Sequence, residues 1–182
     1  MSKAIGMVEY KTVSAGMTAA DTMIKTAEIE VIQASTVCPG KYIVLVTGEL
    51  SAVKASIDAV KVKFPEQLSD SFVLGNPHED IFSAIYGGGE IGDAKSLGVL
   101  ETFSAPSIIV AADTAAKASE VKLIELRIAR GMCGKSYMLL TGTVASVTAA
   151  IERAKVVVGD EGMLLDSSVI PNPDKRLWDS IL

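Results

Sequence analysis

Apolar and polar positions along the chain alternate between two rhythms. Residues 4–11 keep the extended spacing of a strand, and Met17, Ala20, Ile24 and Ala27 then recur at helical spacing. Ser14 or Thr18 is the candidate N-cap of that helix. Residues 29–34 and 42–47 are apolar and rich in β-branched side chains, so both read as strands. Ser51 is the candidate cap of a second helix, in which Val53, Ile57, Val60 and Phe64 follow 4, 3, 4 spacing. A short strand, 72–74, closes the unit. Between the two middle strands, Thr36-Val37-Cys38-Pro39-Gly40-Lys41 reads as a tight loop with one thiol at its tip.

The same order then returns. Gly6-Met7-Val8-Glu9 reappears as Gly98-Val99-Leu100-Glu101, 92 residues on, and Ala20-Asp21-Thr22 and Lys25 reappear as Ala112-Asp113-Thr114 and Lys117 at that offset. Gly40-Lys41 and Thr47-Gly48 match Gly134-Lys135 and Thr141-Gly142 at 94, and Asn76-Pro77 matches Asn172-Pro173 at 96. The second copy has strands at 97–103, 122–128, 137–141 and 168–170, with helices around 112–118 and 147–158. The order βαββαβ, written twice, is α+β and ferredoxin-like. It predicts tandem domains at 1–86 and 94–182, with Tyr86-Gly87-Gly88-Gly89-Glu90-Ile91-Gly92 as a flexible linker between the copies.

Composition narrows the function. A net charge of −5 and a pI near 4.9 leave no basic face for phosphates, so nucleic acid is not an expected partner. A hydrophobic fraction of 49% with only 5% aromatics predicts large apolar areas buried between subunits. The longest aliphatic run, Ile108-Ile109-Val110-Ala111-Ala112, stops far short of the roughly 20 residues a bilayer needs, so no membrane span is expected. Two cysteines without an export signal predict a reducing cytoplasm and no structural disulfide.

Enzyme chemistry finds little support. His78 is the single histidine and sits in an Asn-Pro-His turn, where a structural role is expected. Glu9 and Glu101 occupy equivalent strand positions, which suggests a repeated structural hydrogen bond and not an acid/base pair. The stretch from Ala129 to Ser136 has the outline of a relaxed P-loop but runs into a strand, whereas a P-loop must open a helix. Trp178 and Ile181 read as anchors of the C-terminal tail. The expectation is a protein that is not an enzyme.

The segments Gly6-Met7-Val8-Glu9, Ala20-Asp21-Thr22-Met23-Ile24-Lys25-Thr26-Ala27 and Gly40-Lys41…Gly48 resemble bacterial microcompartment shell proteins. Their duplication over essentially the whole chain resembles the tandem-domain type. The loop with cysteine in the first copy only is similar to the tandem type that carries an iron–sulfur cluster in propanediol-utilisation shells. The resemblance implies a pseudo-hexameric homotrimer, six domains around a pore, that tiles a shell in the cytoplasm with other shell proteins. It further implies one [4Fe–4S] cluster per trimer, Cys38 as the metal ligand, and an encapsulated or cytosolic redox enzyme as a partner. Lys25 and Lys117, otherwise solvated helix ends, become candidates for contacts at the tile edge.

A single loop thiol suits such a site only through symmetry. Each iron of a cluster takes a thiolate, and a three-fold axis would bring three Cys38 sulfurs together, leaving one iron to a non-protein ligand. The expected pore lining is Val37, Cys38, Pro39 and Gly40 with Met132, Cys133 and Gly134. By the 94-residue offset Cys38 matches Met132, so Cys133 stands opposite Pro39, and packing is its expected role. The chain departs from the family's Pro-Arg-Pro-His after the last strand: it has Gly75-Asn76-Pro77-His78 and Pro171-Asn172-Pro173-Asp174. Two other readings stand beside the cluster: a shell tile whose pore gates small metabolites, and a regulatory ferredoxin-like trimer with no shell.

Overall fold

The computed structural model describes residues 4–88 and 95–181, so most of the expected linker, 89–92, lies outside the described residues, as do the first residue of the second expected domain and Leu182. Residues group into two compact units. One takes the chain up to Pro77 with Phe103–Ser107 and Ile128–Ser136, and the other takes His78–Thr102, Ile108–Arg127 and the chain from Tyr137 onward. The first unit thus contains two pieces of the second sequence copy.

In the first copy β1 (Ala4–Tyr10), α1 (Val13–Thr26), β2 (Glu30–Val37), β3 (Lys41–Gly48), α2 (Leu50–Lys63) and β4 (Leu68–Leu74) follow in order. The strands form an antiparallel sheet ordered β2-β3-β1-β4. All seven residues of β1 are buried, Glu9 among them, so this central strand shows no alternation of buried and exposed positions. On one face Val8, Tyr10, Val44 and Val46 pack with Ala19, Ala20 and Met23 of α1 and Val53, Ile57 and Val60 of α2. Gly6 lets α2 approach: a Cβ there would lie 2.8 Å from Val53 Cγ1. Tyr10 is fully buried, donates to the Val60 carbonyl at 3.2 Å and meets Phe64 edge-on. Burial pushes its phenol up to about 12, because the phenolate would lose its water.

Several expected details change. The α1 cap is Thr12, whose extended backbone lets Oγ1 accept from Ala15 N–H at 3.4 Å; Ser14 and Thr18 lie inside the helix. The buried face of α1 is Gly16, Ala19, Ala20 and Met23, while Met17 and Ile24 are exposed. Helix α2 has Glu49 at its N-cap with no side-chain cap bond, and Ser51 is already inside it. Strand β4 starts at Leu68, four residues before the expected start, because Leu68, Asp70 and Ser71 pair with β1 despite having no apolar pattern, while Ser69 is skipped where the ladder slips.

The second copy repeats the plan. Helix α3 (Asp80–Ile85), which sequence periodicity missed, precedes β5 (Ser96–Thr102), α4 (Ala105–Ala118), β6 (Val121–Arg127), β7 (Ser136–Gly142), α5 (Val144–Asp160), β8 (Leu164–Pro171) and α6 (Lys175–Ile181). Its sheet order, β6-β7-β5-β8, reproduces the first. Even the irregularities recur: the ladder slips between Glu9 and Tyr10 and again between Glu101 and Thr102. Helix α4 begins seven residues before the expected start, with Ser104 Oγ accepting from Ser107 N–H at 3.1 Å. Its Ala105, Ile108, Ile109, Ala111 and Ala112 are all buried, which erases an amphipathic period. Trp178 of α6 packs with Leu97, Ile124 and Leu139. Among the described residues no helix is long and apolar enough to cross a membrane.

Candidate thiol site and the contacts that hold it

The hairpin from β2 to β3 closes over Cys38-Pro39-Gly40. Gly40 N–H donates to the Val37 carbonyl at 2.9 Å, and Gly40 sits at φ 103°, a conformation that favours glycine. The Cys38–Pro39 peptide is cis. Cys38 is half-buried and Cys133 exposed, both as free thiols. Among the described residues no group of three or more His, Cys, Asp or Glu side chains could hold a metal.

The loop after β6 belongs to the same unit. Cys38 N–H donates to the Ala129 carbonyl at 3.3 Å, and Ala129 N–H donates to Ser136 Oγ at 3.0 Å. Ala129, Gly131, Cys133 and Gly134 all take positive φ, which coils this segment into successive turns. Gly134 is buried, and a Cβ there would lie 3.3 Å from Pro39 Cδ and 3.4 Å from the Cys38 carbonyl oxygen. An open depression beside the thiol is lined by Thr36, Val37, Cys38, Pro39, Gly40, Arg130 and Gly131. Of the expected lining residues, the structure therefore gathers Val37, Cys38, Pro39 and Gly40 around one depression, with Gly134 against the same turn. Met132 and Cys133 are not among its walls. Arg130 is the residue that sequence reasoning passed over; as part of a discounted P-loop outline, it gave no signal of standing beside the thiol.

Below the turn lies a polar cluster. Lys41 Nζ pairs with Glu9 Oε1 at 2.5 Å, and Glu9 is fully buried. Its other oxygen, Oε2, accepts from Ala105 N–H at 2.9 Å, at the start of α4. Asp70, opposite Glu9 in the β1–β4 ladder, accepts at Oδ2 from Ser107 Oγ at 2.7 Å and also from Ser104 Oγ. A carboxylate at a helix N-terminus is favoured by both the free amides and the helix dipole. The expected structural hydrogen bond is present for Glu9. Glu101, in contrast, is half-buried and accepts no hydrogen bond among the described residues.

The two edge lysines differ. Lys25 pairs with Asp21 at 2.7 Å, with both side chains mostly exposed. Lys117 pairs with Asp113 at 2.7 Å, but Asp113 is buried and also accepts from His78 N–H at 2.8 Å. His78 thus contributes its backbone amide here, while its ring Nδ1 accepts from Asp80 N–H at 3.3 Å. At the junction of β6 and β7, Tyr137 donates to Glu125 at 2.9 Å and Arg127 bonds the same carboxylate. That hydrogen bond raises the Arg127 pKa, while burial and then the bond to Glu125 raise that of Tyr137.

Two segments of the chain, residues 4–77 and 96–173, match the BMC domain family model. The chain belongs to the BMC domain family. The bacterial microcompartment shell protein PduT of Citrobacter freundii is 37% identical over 178 residues, covering 98% of this chain and 97% of the relative. The carboxysome assembly protein CcmO of Synechococcus elongatus is 25% identical over 191 residues, covering 98% of this chain and 68% of the relative. A crystal structure of a microcompartments protein from Desulfitobacterium hafniense superposes with a TM-score of 0.86 at 42% identity, covering 98% of this chain and 99% of that one. A fused permuted hexameric shell protein from the RMM microcompartment, at TM-score 0.66 and 22% identity over 86% of this chain and 81% of that one, shares the fold. Both BMC domains therefore lie in one chain, as the repeat implies.

Proposed function

We propose that this chain is a structural tile of a bacterial microcompartment shell, working in the cytoplasm beside other shell proteins and without catalytic activity. The observation that carries this reading is the pair of BMC domains in a single chain, matched end to end by a shell protein. Three chains would supply six domains, and one repeated heterologous contact between equivalent domains closes a ring. The pore would then be lined by the hairpin turns.

Within that ring we place a [4Fe–4S] cluster on the three-fold axis, held by one Cys38 per subunit and able to pass single electrons to an encapsulated or cytosolic redox enzyme. What supports it is the half-buried thiol at a turn whose tip is exposed at Pro39 and Gly40. Arg130 would partly neutralise the anionic thiolate set. The second reading, a pore that gates small metabolites, is favoured by the same depression: Arg130 beside a small open cup suits an anionic solute. Anaerobic reconstitution followed by optical and EPR spectra decides between them. Absorbance near 400 nm with about four irons per three chains supports the cluster, and a colourless protein leaves the gate. Sheets or tubes on overexpression, seen by electron microscopy, test the tile itself.

A further inference from the structure

The first unit contains a filled socket, and the second unit carries its unfilled counterpart. In the filled one, Glu9 and Asp70 face each other across β1 and β4 and take the N-terminus of α4: the Ala105 amide on Glu9, the Ser104 and Ser107 hydroxyls on Asp70. The same ladder position in the second sheet pairs Glu101 with Asp166. Asp166 Oδ1 accepts from its own neighbour, Ser167 N–H, at 2.7 Å, just as Asp70 Oδ1 accepts from Ser71 N–H at 2.7 Å. The remaining oxygen is thus presented alike in the two copies, yet neither Asp166 Oδ2 nor Glu101 has a partner among the described residues.

The matching plug exists too. Helix α1 is the repeat equivalent of α4, with Thr12 where α4 has Ser104 and Val13 where it has Ala105. Ser104 and Ala105 are buried under the carboxylates, whereas Thr12 is exposed and Val13 half-buried. Thr12 Oγ1 already accepts from Ala15 N–H, which leaves its own proton free to be donated. Val13 is the first helical residue, so no turn of α1 can use its amide.

We propose that Glu101 and Asp166 of one chain receive the N-terminus of α1 of a second copy, Glu101 taking the Val13 amide and Asp166 the Thr12 hydroxyl. The contact rests on the closed-ring reading above and names the groups that join one chain to the next. It is weaker by one bond than its internal counterpart, because Ala15 stands where α4 has Ser107. Socket and plug belong to different units of the chain, so each chain offers one of each, and a contact between unlike patches propagates head to tail until it closes.

Val13→Pro is the sharpest probe. Proline is well tolerated at the first helical position, and Thr12, at φ −134° and ψ 149°, already has the extended backbone that a following proline prefers. The substitution removes one N–H and no helix bond. Subunit exchange between mass-labelled full-length trimers, followed by native mass spectrometry, should run at least about tenfold faster for Val13→Pro and for Glu101→Ala/Asp166→Ala, the loss expected for a hydrogen bond to a charged group. Combining them should add little, since both delete the same contact. Far-UV circular dichroism should match the wild type throughout. If the wild type is trimeric and both variants exchange at its rate, or if their effects add in full, this contact is wrong while the ring stands. If the wild type is monomeric at micromolar concentration, the ring reading falls and takes this contact with it.

Discussion

Lys41 reaches Glu9 at 2.5 Å although Glu9 is wholly inside the protein and Lys41 directly follows the thiol turn. One end of the turn is therefore tied to the central strand by a charge that has no water around it. Lys41→Met should leave the carboxylate with only the Ala105 amide, and removing one partner of a buried pair is far costlier than removing both. Urea unfolding should show a loss of roughly 2–3 kcal/mol, somewhat under the fully buried case because the lysine is partly exposed. Glu9→Gln/Lys41→Met should recover much of it. An unchanged midpoint for Lys41→Met would mean that the ion pair does not hold the turn.

Cys38→Ser should abolish iron and sulfide binding after anaerobic reconstitution, because it deletes every protein ligand of a three-fold site in one substitution. Thermal stability should change little, as the residue sits at a hairpin tip. Cys133→Ser should keep its iron, since Cys133 is exposed and is not among the walls of the Cys38 depression. Iron analysis of the two variants side by side reads this out, and the reverse pattern would reassign the ligand.

Lys25→Ala with Lys117→Ala should leave the oligomer intact while electron microscopy shows loss of extended sheets. The two single changes should differ in stability. Lys25 belongs to an exposed pair worth well under about 1 kcal/mol, so its removal should be silent in a melt. Lys117 is the ion-pair partner of buried Asp113, and its removal should lower the melting temperature by a few degrees. Wild-type sheet formation by the double variant would sink the edge assignment.

Alkaline pH should expose Tyr10. Its phenol is raised to about 12 in the fold against about 10 in an unfolded chain, so the neutral form is the one the fold favours. The stability this confers is complete below pH 10 and is lost as pH climbs through 12. Tyr10→Phe should be less stable by about 1 kcal/mol at neutral pH, having lost the bond to Val60, but should fall less steeply between pH 10 and 12. Tyrosinate absorbance near 295 nm tracked alongside circular dichroism checks the sign.

Much of the fold was legible because the chain says everything twice. A glycine forced by helix packing, Gly6 against Val53, returns as Gly98 against Val147, and Thr47 bonding the Ala4 carbonyl returns as Thr141 bonding that of Ser96. What stayed hidden lacked an apolar period. Strand β4 runs from Leu68 through Ser69, Asp70 and Ser71 before its apolar end, and its pairing is decided by the neighbouring strand. Helix α4 is buried over too much of its surface to look amphipathic. The site was half visible: the hairpin with Cys38 follows from Pro39-Gly40, but nothing local announces that Arg130 stands beside it. Tertiary placement brings those residues together across about 90 positions of sequence.

The first compact unit borrows Phe103–Ser107 and Ile128–Ser136 from the second sequence copy. A protease cut or a split gene placed at the linker would therefore not yield two self-sufficient halves. The N-terminal fragment would carry Glu9 with its cap missing and a hairpin stripped of the loop that accepts from Cys38. Such a fragment would have to find that material in another polypeptide. Covalent fusion removes the search, and each half can then drift away from its twin without being swapped for it.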